Sequence, residues 1–207
     1  MEVYIGVDPS FNSTGICKLY YENNVLIKNE FYIIRPSDSK LTKRENKAAD
    51  SCCDIFKYEF YDKHDLSPYK EDNHMSELLK TMNACNLMDK IKQIACCDML
   101  NVDNIYVLQE GISYGSSIRT KSIFDLAGLN YLLRNIFIRY RDCVFTIATP
   151  ANIKKFATGK GNAKKQQIIE AFLSQYKKLK QIPKVDDIAD AYFMAQFARH
   201  LKMKDSP

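Results

Sequence analysis

The segment IGVDPSFNSTGI, residues 5–16, decides the fold. Apolar residues alternate over residues 2–8, which predicts a β-strand, and Asp8 is its last residue, directly before a Pro-Ser turn signal. Residues 14–21 and 24–34 predict two further strands, joined by a tight turn at Asn23 and Asn24. This part of the chain is therefore predicted to be an antiparallel meander whose first strand ends in a carboxylate.

Beyond the meander, helical and extended patterns alternate. Helices are predicted near 43–61 and at 75–100, 120–140, 151–157, 163–180 and 187–203, with strands at 104–110 and 143–148 and an exposed loop at 62–74. Pro150 is expected in the first turn of the helix that follows it, where its missing N–H is tolerated. Five strands and these helices predict an α/β fold with a mixed sheet flanked by helices.

Length and composition indicate one globular domain over residues 1–207. Hydrophobic residues make up 46% of the chain and charged residues 27%, and charged or amide residues interrupt every apolar run before it reaches membrane length. We therefore expect no membrane partner and a cytoplasmic protein, in the host cytoplasm if the source is a virus or phage, as the Lys, Asn, Ile and Tyr usage hints.

The seven cysteines are an odd number, include the adjacent pairs Cys52–Cys53 and Cys96–Cys97, and contain no C-x-x-C pair. Adjacent cysteines rarely let two thiolates reach one zinc ion, so the pattern favours reduced, mostly buried thiols over a metal site with His64 and His74.

Positive charge is concentrated in one stretch. The net charge is +5, yet residues 150–184 contain nine lysines against a single acid, Glu170. Such a stretch suggests a polyanionic partner, and the alternative is an ordinary solvated helix face.

Carboxylates lie where ligands gather in such sheets, beyond the carboxyl ends of the central strands. Asp8 and Glu110 each end a predicted strand, and Asp187 and Asp190 share one face of the last predicted helix, where Ala189 and Ala191 would let that helix lie close to the sheet. The alternative for the two helical acids is a favourable interaction with the helix dipole.

Four converging carboxylates repel one another unless a cation joins them. Oxygen ligands without His or Cys favour Mg²⁺, with Mn²⁺ as a substitute. Two such ions can activate water and stabilise the departing oxygen of a phosphodiester.

Four segments in this order resemble the RuvC-type Holliday junction resolvases of the ribonuclease H-like nuclease superfamily. They are IGVDPSFNSTGI, the strand ending in Gln109-Glu110, TPANIKKFATGKGNAKKQQI at 149–168, and DDIADA at 186–191. The resemblance implies a ribonuclease H-like fold with a five-stranded sheet. It also implies a Mg²⁺-dependent endodeoxyribonuclease, a homodimer that nicks two opposed strands of a four-way DNA junction.

The resemblance also implies residue roles. Asp8, Glu110, Asp187 and Asp190 would be the catalytic and metal-binding acids, Lys154 and Lys165 would lie near the scissile backbone, and the loop with Gly159 and Gly161 would allow close approach to phosphate. The candidate DNA-binding residues, once neighbouring lysines that could contact phosphate are added, are Lys154, Lys155, Lys160, Lys164, Lys165 and Tyr114.

Three features depart from the family pattern. Residues 36–74 are longer than the resemblance predicts and are interpreted as an insertion with a role in dimerisation or junction contact. The aromatic residue expected three positions after the second acid is Ser113, so Tyr114 is the candidate for stacking on DNA. Asp186 adjoins Asp187, and Asp187 is preferred because the family spacing is D-x-x-D.

Two other functions are considered. One is a DNA-junction-binding module that does not cut, although all four acids are present. The other is an ATPase of the actin and sugar-kinase type, for which the chain lacks the duplicated core and the second Gly-rich phosphate loop.

Overall fold

The computed structural model describes residues 1–96, 102–111, 120–140 and 142–205, with the side chains of 120–123 and 205 left out. Its strands are β1 (Glu2–Asp8), β2 (Thr14–Glu22), β3 (Val25–Pro36), β4 (Phe56–Tyr61), β5 (Asn104–Glu110) and β6 (Cys143–Ala148). Its α-helices are α1 (Lys43–Asp50), α2 (Asn73–Cys96), α3 (Thr120–Phe137), α4 (Pro150–Thr158), α5 (Lys165–Gln175) and α6 (Val185–Asp205). Short 3-10 helices occupy Ser67–Tyr69 and Lys177–Gln181.

The strands form one mixed sheet in the order β4-β3-β2-β1-β5-β6. Only β2 runs against the others, because β1 and β3 both pair with it antiparallel while the remaining pairs are parallel. The carboxyl ends of five strands therefore meet at one edge of the sheet, called here the carboxyl edge, where Asp8 and Glu110 end their strands.

The expected α/β fold is confirmed, but the sheet has six strands where five were predicted. The predicted helix at 43–61 is wrong in its second half, because α1 ends at Asp50 and β4 begins at Phe56. Phe56 and Phe60 are four residues apart, which mimics a helical spacing, yet Phe56, Tyr58 and Phe60 also alternate as in a strand. Pairing with β3 decides between the two, because it uses the backbone hydrogen bonds of β4.

Other boundaries shift by a few residues. The turn at Asn23 and Asn24 is confirmed, and both residues have positive φ (48° and 63°), as a mirror-image hairpin turn requires. Pro150 is the first residue of α4, as predicted. The predicted helix at 163–180 instead ends at Gln175 and is followed by a 3-10 helix.

Helices cover both faces of the sheet. Helices α2 and α3 pack on one face around Ile5 and Val107, whereas α4, α5 and α6 pack on the other around Phe31 and Leu108. Ala48 of α1 belongs to the core around Phe31 and Leu108. Each face has its own apolar core, so the carboxyl edge lies at the end of a rigid three-layer structure.

Helix α6 lies directly against the centre of the sheet. A methyl group at Gly6 of β1 would overlap the carbonyl oxygen of Ala191, and one at Gly15 of β2 would overlap the carbonyl oxygen of Asp187. The buried Ala195 also touches this surface. The absence of side chains on the two glycines therefore sets the height at which the first turn of α6 meets the carboxyl edge.

Among the described cysteines, only Cys17 and Cys52 are buried. The prediction of mostly buried thiols is therefore wrong, and Cys97 lies outside the described residues. Among the residues described, none of the helices combines the length and the apolar character that crossing a membrane would require.

Candidate active site at the carboxyl edge

Two of the predicted site acids come from neighbouring parallel strands. Asp8 ends β1 and pairs with Gly15 of β2. On its other side, Val7 pairs with Gln109 of β5, so Glu110 follows at the next position of the parallel ladder, beside Asp8. Both side chains are half-buried. The register of the sheet therefore brings these two acids together from positions about a hundred residues apart in the chain.

The other two acids come from the start of α6. Lys184 precedes the helix with a positive φ of 62°, and the Asp187 N–H donates to its carbonyl oxygen at 3.1 Å. Asp187 and Asp190 follow within the first two turns, on the part of α6 that rests on Gly15. The four predicted acids, two at strand ends and two at the start of α6, are together called the edge acids.

The charges of the other three edge acids all act on Asp8. Burial raises the pKa of Asp8 well above its ordinary value, and the negative charges of Asp190, Asp187 and Glu110 raise it further. Lys165 is the nearby cation that opposes this shift. Asp8 therefore lies at the electrostatic centre of the group.

The other edge acids show the same direction of shift. Burial, with the charges of Glu110 and Asp187, raises the pKa of Asp190 to about 7, against the opposing effect of Lys165. Burial also raises the pKa of Glu110, partly offset by the positive charge of Lys154. A site that disfavours four negative charges in this way favours a cation, because a cation relieves both the burial and the repulsion.

Asp187 has a hydrogen-bond partner that the sequence did not reveal. The Ser13 hydroxyl donates to Asp187 Oδ2 and partly offsets the rise that burial causes in the Asp187 pKa. Ser13 is itself buried, in the loop between β1 and β2. These residues are 174 positions apart, so no local pattern could have indicated the contact.

Asp186 and Asp187 differ in their surroundings. Asp186 forms an ion pair with Lys165, with Nζ and Oδ2 2.5 Å apart. Burial opposes the shift, but the Lys165 contact holds the pKa of Asp186 below its ordinary value. The charge of Asp187 raises the pKa of Asp8. The structure therefore places Asp187 among the edge acids and Asp186 beside them as a partner of lysine.

Two of the predicted DNA-binding lysines lie near the edge acids. Lys154 of α4 is half-buried near Glu110, and Lys165 is the first residue of α5. The remaining three, Lys155, Lys160 and Lys164, are exposed on α4 and on the loop that leads to α5. Tyr114 lies outside the described residues.

Gly159 has a structural role of its own in that loop. It ends α4 in a left-handed conformation (φ 79°), and its N–H donates to the Lys155 carbonyl oxygen at 2.8 Å.

The edge acids fit a divalent metal ion by their chemistry. All four are carboxylates, the ligands that Mg²⁺ and Mn²⁺ prefer, and their raised pKa values show that added positive charge would stabilise their ionised forms. Within the part of the chain that is described, no three His, Cys, Asp or Glu side chains are gathered closely enough to hold a metal ion as they stand.

Comparisons with known proteins point to one group of enzymes. Residues 119–197, which run from α3 to most of α6, match the family model described as crossover junction endodeoxyribonuclease RuvC. No curated protein matches the chain in sequence.

Solved structures share the fold at low sequence identity. Thermus thermophilus RuvC is 14% identical with a TM-score of 0.51, and its complex with a Holliday junction substrate is 11% identical with a TM-score of 0.55. Each comparison covers 98% of this chain and 96% of the other. A fowlpox virus resolvase, solved with Holliday junction DNA, is 14% identical with a TM-score of 0.48, covering 96% of this chain and 98% of the other. The chain therefore resembles the RuvC-type crossover junction endodeoxyribonucleases in its overall fold and, within residues 119–197, in its sequence.

Proposed function

We propose that the protein is a divalent-metal-dependent endonuclease that resolves four-way and branched DNA junctions. The observation that carries the proposal is the group of four edge acids, which lie near Lys154 and Lys165 in a RuvC-like fold. The match of residues 119–197 to the RuvC family supports the same activity, because this range contains two of the acids and all five lysines.

The edge acids hold the cations from two sides in this proposal. Asp8, at the centre of the repulsion, and Glu110 beside it are the residues that hold cations from the sheet side. Asp187, oriented by Ser13, and Asp190 hold them from the helix side. Two bound Mg²⁺ ions would supply an activated water and stabilise the oxygen that leaves the phosphodiester, and Mn²⁺ is expected to replace them.

In this proposal, Lys154 and Lys165 hold the DNA backbone over the edge acids. Lys154 and Lys165 already lie within electrostatic range of Glu110 and Asp190, so a phosphate bound by them would lie next to the acids. The exposed Lys155, Lys160 and Lys164 extend the positive surface away from the edge. These contacts recognise backbone, and the shape of the junction would supply the selectivity.

Resolution of a junction takes two nicks in opposed strands, and one chain has one group of edge acids. We therefore propose a homodimer that acts in the cytoplasm and presents two such groups to one four-way junction.

The test compares a synthetic four-way junction with duplex DNA of the same sequence in the presence of Mg²⁺. We expect nicks in opposed strands of the junction, little cleavage of the duplex, and loss of cleavage in EDTA. Junction binding without nicks in either Mg²⁺ or Mn²⁺ would favour the non-cutting module instead, and DNA-independent ATP hydrolysis would favour the ATPase.

A further inference from the structure

The segment 36–74, interpreted above as an insertion, reaches the loop beside the edge acids. It supplies β4, which ends at Tyr61 on the carboxyl edge, paired with Pro36 of β3. The Tyr61 hydroxyl donates to the carbonyl oxygen of Phe11 at 2.8 Å. Phe11 belongs to the loop between β1 and β2, residues 9–13, called here the edge loop.

The contact between Tyr61 and Phe11 lies in the protein interior. Tyr61 is 2% exposed and packs in the same apolar cluster as the half-buried Phe11. Burial raises the pKa of Tyr61 to about 12, so its hydroxyl keeps its proton and remains a donor at neutral pH. The ring and the hydroxyl therefore restrain the edge loop together.

Two residues further along, the edge loop carries Ser13, whose hydroxyl donates to Asp187. The loop is closed on itself by Thr14 and Ser10: the Thr14 hydroxyl donates to the Ser10 carbonyl oxygen at 2.8 Å and accepts from the Ser10 N–H at 3.0 Å. A displacement of Phe11 would therefore move a compact loop and take the Ser13 hydroxyl with it.

We propose that Tyr61 is a positioning residue that holds the edge loop in place, so that Ser13 keeps the Asp187 carboxyl group oriented for metal binding. A hydroxyl bonded to one carboxylate oxygen limits the rotation of the group, and such outer contacts support the affinity of metal ligands. The inference rests on the proposed function, because it takes Asp187 as a metal ligand, and it assigns strand β4 a task at the active site.

The chain offers a matched control for Tyr61 on the same strand. Tyr58 is also a tyrosine of β4, and its buried hydroxyl has no hydrogen-bond partner among the described residues. The change Tyr58→Phe therefore removes the same atom from the same strand without removing a bond, whereas Tyr61→Phe removes the bond to Phe11.

The first measurement is the dissociation constant of Mn²⁺ for the free protein by titration calorimetry. We expect Ser13→Ala to weaken Mn²⁺ binding about 10-fold or more, as outer contacts of metal ligands do. Tyr61→Phe should weaken it about 2-fold to 10-fold, the equivalent of one neutral hydrogen bond. Tyr58→Phe should match the wild type, and Ser13→Thr, which keeps a hydroxyl, should recover affinity lost in Ser13→Ala.

The double variant shows whether Tyr61 acts through Ser13. In the Ser13→Ala background we expect Tyr61→Phe to cause no further loss of Mn²⁺ affinity, because the Ser13 hydroxyl through which Tyr61 acts on Asp187 is already absent. A full additional loss would overturn the proposal, and so would a Tyr61→Phe variant that binds Mn²⁺ like Tyr58→Phe.

The second measurement separates this inference from the nuclease proposal. The Mg²⁺ concentration for half-maximal junction cleavage should rise in Tyr61→Phe while the rate at saturating Mg²⁺ stays near that of the wild type. If the wild type binds Mn²⁺ but cuts no junction, the nuclease proposal fails and the calorimetric comparison still decides the role of Tyr61. If the wild type binds no Mn²⁺, both fail.

Discussion

At the residue scale, the carboxyl groups of the carboxyl edge differ in how the protein treats their charge. Asp8 and Asp190 are held where ionisation is disfavoured, whereas Asp186, only four residues before Asp190, is stabilised as an anion by Lys165. Neighbouring residues of the same type therefore have different chemical roles, and their surroundings assign those roles.

Asp8→Asn tests the residue at the centre of the repulsion. An amide keeps the shape of the side chain but removes its charge, so we expect cleavage of a four-way junction to be lost. Junction binding in Ca²⁺ should persist or tighten, because one negative charge near the DNA is gone. Gel-shift and nicking assays on the same preparation measure both, and full cleavage by the variant would remove Asp8 from the mechanism.

Asp190→Asn tests the raised pKa of Asp190, about 7, through its effect on the free energy of unfolding. The folded protein binds this proton more tightly than the unfolded chain does, because the folded pKa exceeds the ordinary 3.8. Ionisation therefore destabilises the wild type progressively from about pH 4 to pH 7, and by a constant amount above that. In EDTA at pH 8 we expect the free energy of unfolding of the variant to exceed that of the wild type by on the order of 1–3 kcal/mol, and by less at pH 5.

Urea denaturation at the two pH values measures this difference. Asp186→Asn provides the contrast, since it removes the partner of Lys165 and should bring no gain in stability. A gain for Asp190→Asn that is the same at pH 5 and pH 8 would contradict the raised pKa.

At the element scale, the contact of α6 with β1 and β2 decides whether the acids meet. Two of the edge acids lie on α6 and one on β1, and both Gly6 and Gly15 lie at the contact. A small outward movement of the helix would withdraw Asp187 and Asp190 together from Asp8. The packing of one helix therefore has a direct consequence for the chemistry.

Gly6→Ala should lower stability, because the new methyl group would overlap the Ala191 carbonyl oxygen within a packed interface. We expect a loss of about 2–4 kcal/mol in the free energy of unfolding, with weaker Mn²⁺ binding in the folded fraction. Gly128→Ala in α3 is the matched control, since nothing lies within 4 Å of the added methyl group. It should raise stability by about 0.5–1 kcal/mol. Equal effects of the two changes in thermal and urea denaturation would show that α6 is not in close contact.

At the scale of the whole molecule, charge is distributed unevenly along α6. Its first turns lie beside the lysines of α4 and α5, whereas its last turns reach the opposite end of the sheet, where Lys202 pairs with Glu2 at 3.1 Å. The lysines near the carboxyl edge therefore lie on a different surface from the lysines at the far end of the sheet.

Lys165→Ala tests the surface near the edge. We expect slower cleavage and a plot of log affinity for the junction against log salt concentration whose slope is shallower by about 1, because one phosphate contact is lost. Lys204→Ala, an exposed lysine in the last turn of α6, is the control and should leave the slope unchanged. Equal slopes for wild type, Lys165→Ala and Lys204→Ala would show that Lys165 makes no phosphate contact.

Much of this protein was determined by its sequence alone. Alternation over residues 2–8 and the turn at Asn23 and Asn24 depend on local backbone preferences, so the meander was predicted correctly. The order of strands and helices identified the fold, the carboxyl-edge rule identified Asp8 and Glu110, and the spacing on the last helix identified Asp187 and Asp190. These features depend on residues close together in the chain, where the pattern of apolar and polar side chains is sufficient.

Only the tertiary structure decided the rest. The spacing of Phe56 and Phe60 is compatible with a helix or a strand, and pairing with β3 made it a strand. The bond from Ser13 to Asp187 and the ion pair that separates Asp186 from Asp187 join distant parts of the chain. Such contacts depend on the register of the sheet and on the height of α6 above it, and these follow from the packing of the whole core, which no local pattern encodes.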